Sequence, residues 1–196
     1  MRKNRPVDAQ WLDSRQLAAW VRLTAVLELL PGVLDSQLRH DAGLTHFEYY
    51  VLAVLSETEG QSLQMSTLAV RTNATLPRLS HVIRRMEDRG LVRRRRRPDD
   101  ARATHVELTE IGWEKVKASA PGHVATVRHH VIDALTAEQV DQLREIAEAM
   151  LGRLDPEGRL IPVYRRPDTV ADADAGKDTD ADTDADPDAG GGSAGA

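Results

Sequence analysis

Residues 91–109 read LVRRRRRPDDARATHVELT, with five consecutive arginines (Arg93 to Arg97), a proline, two aspartates and then Arg102. Guanidinium groups at this density neutralise polyanions, and each presents a planar fork of donors that matches a phosphate or a guanine edge in bidentate fashion. The whole chain has a formal net charge of −5, so this local concentration calls for a cause. A solvated surface, a nuclear-import tag and a nucleic-acid contact are the three candidates.

Other reactive chemistry is poorly represented. The chain has no cysteine, which excludes disulfides, thiol redox switching and Cys-ligated zinc. There is no Gly-rich phosphate loop, no nucleophile elbow and no His-x-x-x-His pair, so no enzyme and no cofactor are expected. His123, His129 and His130 invite a metal reading. His129 and His130 are adjacent, however, and on a helix point about 100° apart. His123 lies nearly two turns earlier with no acidic residue at ligand spacing, so no metal is expected.

The elements that must position the arginines follow from periodicity. Apolar residues recur at helical spacing almost throughout: Leu12, Trp20, Leu23, Leu27 and Leu30 in the first helix, which Pro31-Gly32 should kink or break. Thr45 and Glu48 have capping-box spacing at the start of the second helix. MSTLAVRT reads as a short helix capped by Ser66. TLPRLSHVIRRMEDRG reads as a longer one, with Thr75 as cap, Pro77 in the first turn and Gly90 at the end. Over residues 104–108 the period becomes 2, and residues 91–95 can pair with them as a β-hairpin. Helical period then resumes, with Pro121-Gly122 interrupting the fifth helix and Thr136 and Gln139 forming another capping box. The last stripe is Val140, Leu143, Ile146, Ala147, Met150, Leu151 and Leu154. The fold class expected is mainly α with a small β-hairpin wing: a winged helix-turn-helix domain whose terminal helices form a dimerisation domain.

On a helical wheel, Leu76, Leu79, Val82, Ile83 and Met86 share one arc. Pro77, His81, Arg84, Arg85 and Asp88 lie opposite, with Arg78 and Ser80 on the flanks. Together with the cap Thr75, this face offers donors and cations of the kind a recognition helix brings to base edges and phosphates. Alone it could be a solvated basic face. The hairpin changes the balance, because its loop sets Arg95, Arg96, Arg97 and Arg102 beside that helix. Asp100 is expected to pair with Arg102 and hold it extended, ready for a narrow minor groove. A hydrogen-bonded hairpin in mid-domain is a poor linear import tag. Double-stranded DNA is therefore the expected partner.

Charge is strongly segregated along the chain. Residues 71–102 hold eleven arginines against four acidic residues, a formal +7. Residues 167–196 hold nine aspartates, one lysine and no aromatic residue, and are expected to be a disordered acidic tail. Residues 1–10 read as a flexible arm, 11–153 as the folded domain with its DNA-binding core at 60–112, and 154–166 as a C-terminal extension. No run approaches the roughly 18 consecutive apolar residues of a membrane span, and the basic N-terminus precedes no apolar run. A cytoplasmic protein without membrane contact is expected. The alternative function is a protein-interaction module whose winged helix is a scaffold and whose acidic tail carries the contacts.

Over residues 15–153 the sequence resembles the MarR family of winged-helix transcriptional regulators. The resemblance rests on LAVRTNATLPRLSHVIRRMEDRGLV (68–92) and PDDARATHVELTEIGWE (98–114). Leu68, Ala69, Ser80, Glu87, Gly90, Leu91 and Val92 match the first part of the family pattern. Asp100, Arg102, Leu108, Thr109 and Gly112 match the wing. The resemblance implies an obligate homodimer reading a pseudo-palindromic operator, and often release by a small aromatic effector. Trp20, His46, Phe47 and Tyr50 are the candidate effector-cleft residues. They are equally readable as core and boundary residues.

Overall fold

The computed structural model describes residues 10–97 and 100–160, with the backbone alone for Arg97 and for residues 100–102. The arm at 1–9, the end of the extension and the acidic tail lie outside the described residues.

Helix α1 (Ser14–Ala42) starts at Asp13, whose side chain accepts from the Gln16 N–H while Gln16 reaches back to the Asp13 N–H, at 2.9 and 3.0 Å. It ends at Gly43, which takes the left-handed φ of 60° and donates to the Arg39 carbonyl. Pro31 lies inside this helix, which continues through it. A proline costs one backbone hydrogen bond and a local clash. Here the last third of the helix is anchored by buried Leu34, Leu38 and Ala42. Nor does Pro121-Gly122 break α5 (Glu110–Val127). A Cβ added at Gly122 would lie 3.2 Å from Gln37 Nε2, so the glycine permits close approach of α5 to α1. The irregularity comes later, as a π-helical turn at Arg128–Ile132.

Helix α2 (His46–Ser56) carries the Thr45/Glu48 capping box and buries Tyr49, Val51, Leu52, Val54 and Leu55. A short strand β1 (Ser62–Gln64), absent from the periodicity because it spans three residues, precedes α3 (Met65–Arg71). Gln64, not Ser66, occupies the cap position of α3, without a side-chain cap bond. Backbone pairing of β1 with residues 105–107 brings the chain into this helix. Helix α4 (Leu76–Asp88) is capped by Thr75, with Pro77 in its first turn. Leu79, Val82, Ile83 and Met86 are buried, but Leu76 is half exposed, because the first turn projects past the core.

Strands β2 (Val92–Arg97) and β3 (Asp100–Leu108) form the antiparallel hairpin, in register Val92↔Leu108 and Arg95↔His105. The strands run further than residues 91–95 and 104–108, so most of the expected loop is ladder. The sheet order is β1-β3-β2. Helix α6 (Ala137–Leu154) is the last helix among the described residues and starts behind a Thr136/Gln139 capping box.

The core gathers the C-terminal end of α1 and the first half of α5 with α2, α3, α4 and the sheet. Helix α6 contributes no buried residue, and the first half of α1 is also uncovered, with Leu27 60% and Ile146 56% exposed. Among the described residues their apolar stripes therefore do not close a core.

The junction of the hairpin with α5 is tight. Thr109 Oγ1 donates to the Gly90 and Leu91 carbonyls, at 2.6 and 3.0 Å, and accepts from the Gly112 N–H at 3.0 Å. A Cβ at Gly112 would lie 2.0 Å from the Leu91 carbonyl oxygen, which is backbone and cannot step aside. Gly112→Ala is expected to cost at least about 3 kcal/mol of stability, at the upper end of overpacking effects. Chemical denaturation checks this, and a cost under about 1 kcal/mol would contradict the packing.

Candidate nucleic-acid interface

Helix α4 is divided by burial. Its inner residues seat it on the core, while Thr75, Pro77, Arg78, Ser80, His81, Arg84 and Arg85 are all exposed. The seven are not equivalent. The Arg78 guanidinium lies over the Phe47 ring, 4.5 Å from its centroid, a cation–π contact that holds the side chain against the start of α2. Arg85 turns toward α2, where its Nη2 is 3.5 Å from Glu48 Oε1. The side chains of Ser80, His81 and Arg84 make no hydrogen bond or ion pair with other described residues, and remain available to a ligand.

The arginine run alternates as a strand must. Arg93 stands directly across from Glu107 and pairs with it at 2.6 Å, and Arg95 reaches the same carboxylate at 3.3 Å. Arg94 points the other way, to Glu87 of α4. Its Nη2 lies 2.6 Å from Glu87 Oε2, and its backbone N–H donates to Oε1 at 2.9 Å. The Arg94 side-chain and backbone hydrogen bonds hold the Glu87 carboxyl below its usual range. Three of the five arginines thus have protein partners, and Arg96 is the first exposed one without a partner among the described residues. The side chains of Arg97, Asp100 and Arg102 lie outside the described residues, so the expected Asp100–Arg102 pair does too.

The three carboxylates Glu48, Glu87 and Glu107 had no place in the sequence reading of the interface. For Glu107 a signal existed, since the hairpin register sets it opposite Arg93. For Glu48 none did, because its role as a helix cap explains its position by itself.

The four effector candidates do not form one wall. Trp20 is half exposed on the uncovered part of α1. Phe47 lies beneath Arg78, and the Tyr50 hydroxyl donates to the Arg71 carbonyl at 3.2 Å. His46 stacks on His123 of α5 with centroids 6.0 Å apart, and His123 also meets Tyr49 at 4.5 Å. Neither of two cavities is lined by any of the four. One, of about 400 Å³, lies between the α3–α4 turn and residues 154–160. The other, of about 360 Å³, is bounded by α1 and the π turn. Among the described residues no three His, Asp or Glu side chains come together at metal-binding distance.

Burial pushes both His46 and His123 below the ordinary imidazole value; Asp35 opposes this at His46, and His46 adds to it at His123. A depressed folded pKa means that the unfolded chain binds more protons below about 6.5. This contribution to stability is therefore intact above that pH and declines as pH falls through 6.5 toward the folded values. The thermal midpoint should fall between pH 7 and 5.5, and His123→Gln should flatten that slope. An unchanged slope in the variant would remove His123 from the account.

The MarR family model matches residues 42–103, which run from the end of α1 into the second strand of the hairpin. The transcriptional repressor MprA of Escherichia coli K12 is 29% identical over 113 residues, 58% of this chain, and the match spans 64% of MprA. The transcriptional regulator HosA of Escherichia coli O111:H- is 32% identical over 109 residues, 55% of this chain and 78% of HosA. The solved structure of Sco3205, a MarR family transcriptional regulator from Streptomyces coelicolor in complex with DNA, is 38% identical. It superposes with a TM-score of 0.73, covering 76% of this chain and 93% of that one. The chain belongs to the MarR family.

The motifs that this chain shares with the MarR family have physical reasons in the fold. Glu87 ties the wing strand to α4 through Arg94. Gly90 takes a φ of 70° to turn from α4 into the wing, a conformation that other residues adopt at a cost. Thr109 and Gly112 dock α5 on that same turn. These MarR relatives are transcriptional regulators, not enzymes.

Proposed function

We propose that this MarR family regulator is a homodimer that represses transcription by reading a pseudo-palindromic operator in double-stranded DNA. The observation that carries the reading is the division of α4: four buried apolar side chains on one side, and Pro77, Ser80, His81 and Arg84 exposed on the other, beside an arginine-rich hairpin. A helix so seated can enter a major groove while the hairpin follows the adjacent backbone. Sco3205, with DNA in its own structure, supports the same use of the fold. The repressor sense follows the name of MprA.

Dimerisation is supported by the uncovered stripes. Trp20 and Leu27 of α1, with Leu143 and Ile146 of α6, are exposed apolar side chains on two long helices, the pattern of an interface formed by a second copy. Helix α1 also has the length and composition to cross a membrane, with a mean hydropathy of 1.6 over its most apolar window. Arg22 and Glu28 interrupt that stretch, and a partner helix accommodates such charges at its rim at far lower cost than lipid does. A cytoplasmic location accords with a DNA target. Response to a small aromatic ligand would involve α2, where His46, Phe47 and Tyr50 touch α5, α4 and α3 respectively.

Titration of a duplex operator at rising salt tests the electrostatic part. Each phosphate neutralised should add about −0.9 to the logarithmic slope. Arg84→Ala and Arg96→Ala should weaken binding more than Arg93→Ala, because Glu107 already occupies Arg93. A flat salt profile would refute the interface. Arg102→Ala is expected to lower operator affinity at least tenfold with the thermal midpoint unchanged, consistent with a minor-groove arginine; unchanged affinity would remove that role.

A further inference from the structure

We infer that Glu48 is a positioning residue for DNA recognition, setting the rotation of α4 through Arg85 and Arg89 without itself touching DNA. The inference rests on the assignment of α4 as the reading helix. Glu48 is the only buried acidic side chain among the described residues, at 4% exposure. Its Oε2 accepts from the Thr45 N–H at 2.9 Å and from Arg89 Nη1 at 3.4 Å, and its Oε1 faces Arg85 Nη2 at 3.5 Å. Arg89 also donates from Nη2 to the Gly43 carbonyl at 2.9 Å, so it spans the corner between α1 and α2.

The neighbouring residue completes the grip. Phe47 lies under Arg78, seven residues before Arg85 and so roughly 10 Å along the helix. One turn of α2 therefore holds α4 at two points, one near each end. That turn is itself tied to α1, since the His46 N–H donates to Asp35 Oδ1 at 2.9 Å. Rolling α4 so that Arg85 left Glu48 would strip a partner from a buried carboxylate, which is costly. The rotation of the helix about its axis is thereby selected, and with it the direction of Ser80, His81 and Arg84.

Rotation matters unequally for the two kinds of DNA contact. Base-edge hydrogen bonds require donor–acceptor distances near 2.9 Å and good alignment, whereas attraction to phosphates is long-ranged and tolerant. A helix free to roll should lose its operator preference before it loses its affinity for DNA. Arg85 in this account acts on the scaffold, although its position on the wheel places it with the DNA-facing residues.

The test uses the full-length chain, its own selected operator and a random duplex of equal length. Glu48→Gln keeps the size of the side chain and an acceptor for the Thr45 N–H but removes the charge that holds the arginines. Operator affinity is expected to fall about tenfold, with random-duplex affinity and salt slope unchanged. Arg85→Ala, which changes a half-exposed side chain and leaves Arg89 on Glu48, should give the same pattern even if Glu48→Gln fails to fold. The double variant should be no worse than Glu48→Gln alone. Unchanged operator affinity, equal loss on both duplexes, or a salt slope reduced by about 0.9 in Arg85→Ala, the mark of a direct phosphate contact, would each overturn the inference. If the wild-type chain selects no operator, the reading-helix assignment falls first and the positioning role with it.

Discussion

Replacing Arg84 with Ala is expected to weaken operator binding about 10- to 100-fold while leaving the fold intact. Arg84 is exposed at the middle of α4, on the side opposite Ile83 and Met86, and makes no ion pair with other described residues. Its guanidinium therefore has its donors available, and a bidentate base contact is worth roughly 1 to 3 kcal/mol of discrimination. Stability should hardly move, because exposed substitutions away from caps and networks are usually worth within about 0.5 kcal/mol. His81, one turn earlier on the same face, should behave similarly but with a smaller effect. Competition titrations against a panel of single-base operator variants separate two outcomes. If Arg84→Ala relaxes the preference at one position per half-site, the side chain reads a base. If affinity falls equally on every sequence and the salt slope drops by about 0.9, it contacts phosphate only.

The second large effect concerns assembly. Leu143→Glu combined with Ile146→Glu should convert the protein to a folded monomer that has lost high-affinity operator binding. Neither residue belongs to the chain's own core, so helicity and the core's packing should persist. Each large apolar side chain buried at an interface contributes about 1.5 to 3 kcal/mol. Removing two, and burying carboxylates in their place, should raise the dimer dissociation constant at least about a thousandfold. Sedimentation velocity reads the mass directly. A variant that sediments as the wild type does, with operator affinity retained, would show that α6 covers nothing essential.

The winged-helix architecture is legible in the sequence because its signals are local. Capping boxes at Thr45 and Thr136, the Thr75 cap with Pro77, and the change of period near residue 104 each specify backbone geometry within a few residues. What escaped was decided by tertiary context. Pro31 reads as a kink or break and Pro121 as an interruption, yet both helices continue: beyond Pro31 the helix is anchored by buried Leu34 and Leu38, and Gly122 lets α5 lie close against Gln37 of α1. Strand β1 is too short to have a period and exists because β3 offers it an edge.

The candidate site was legible in outline, but the ion pairs within it were not. Residue types on α4 identify the exposed face correctly, except that Leu76 joins it. The arginine run reads as uniform charge, but strand alternation and two carboxylates, Glu87 and Glu107, divide it into held and available members. Distance along the chain hides such pairs: Glu48 and Arg85 are 37 residues apart. Charge counting alone does not distinguish the members of the Arg-Arg pair: Arg84 is exposed and unpartnered among the described residues, whereas half-exposed Arg85 faces Glu48.

The most direct test of a dimeric, sequence-reading regulator is selection of random duplex DNA on the purified full-length chain, followed by sequencing of the retained pool. An enriched inverted repeat, with half-sites about one helical turn apart, is the expected result, since two symmetry-related α4 helices must enter successive major grooves. A retained pool with no enriched sequence would reduce the protein to a nonspecific polyanion binder. An empty pool would contradict the account outright and leave the winged helix as a scaffold for other proteins.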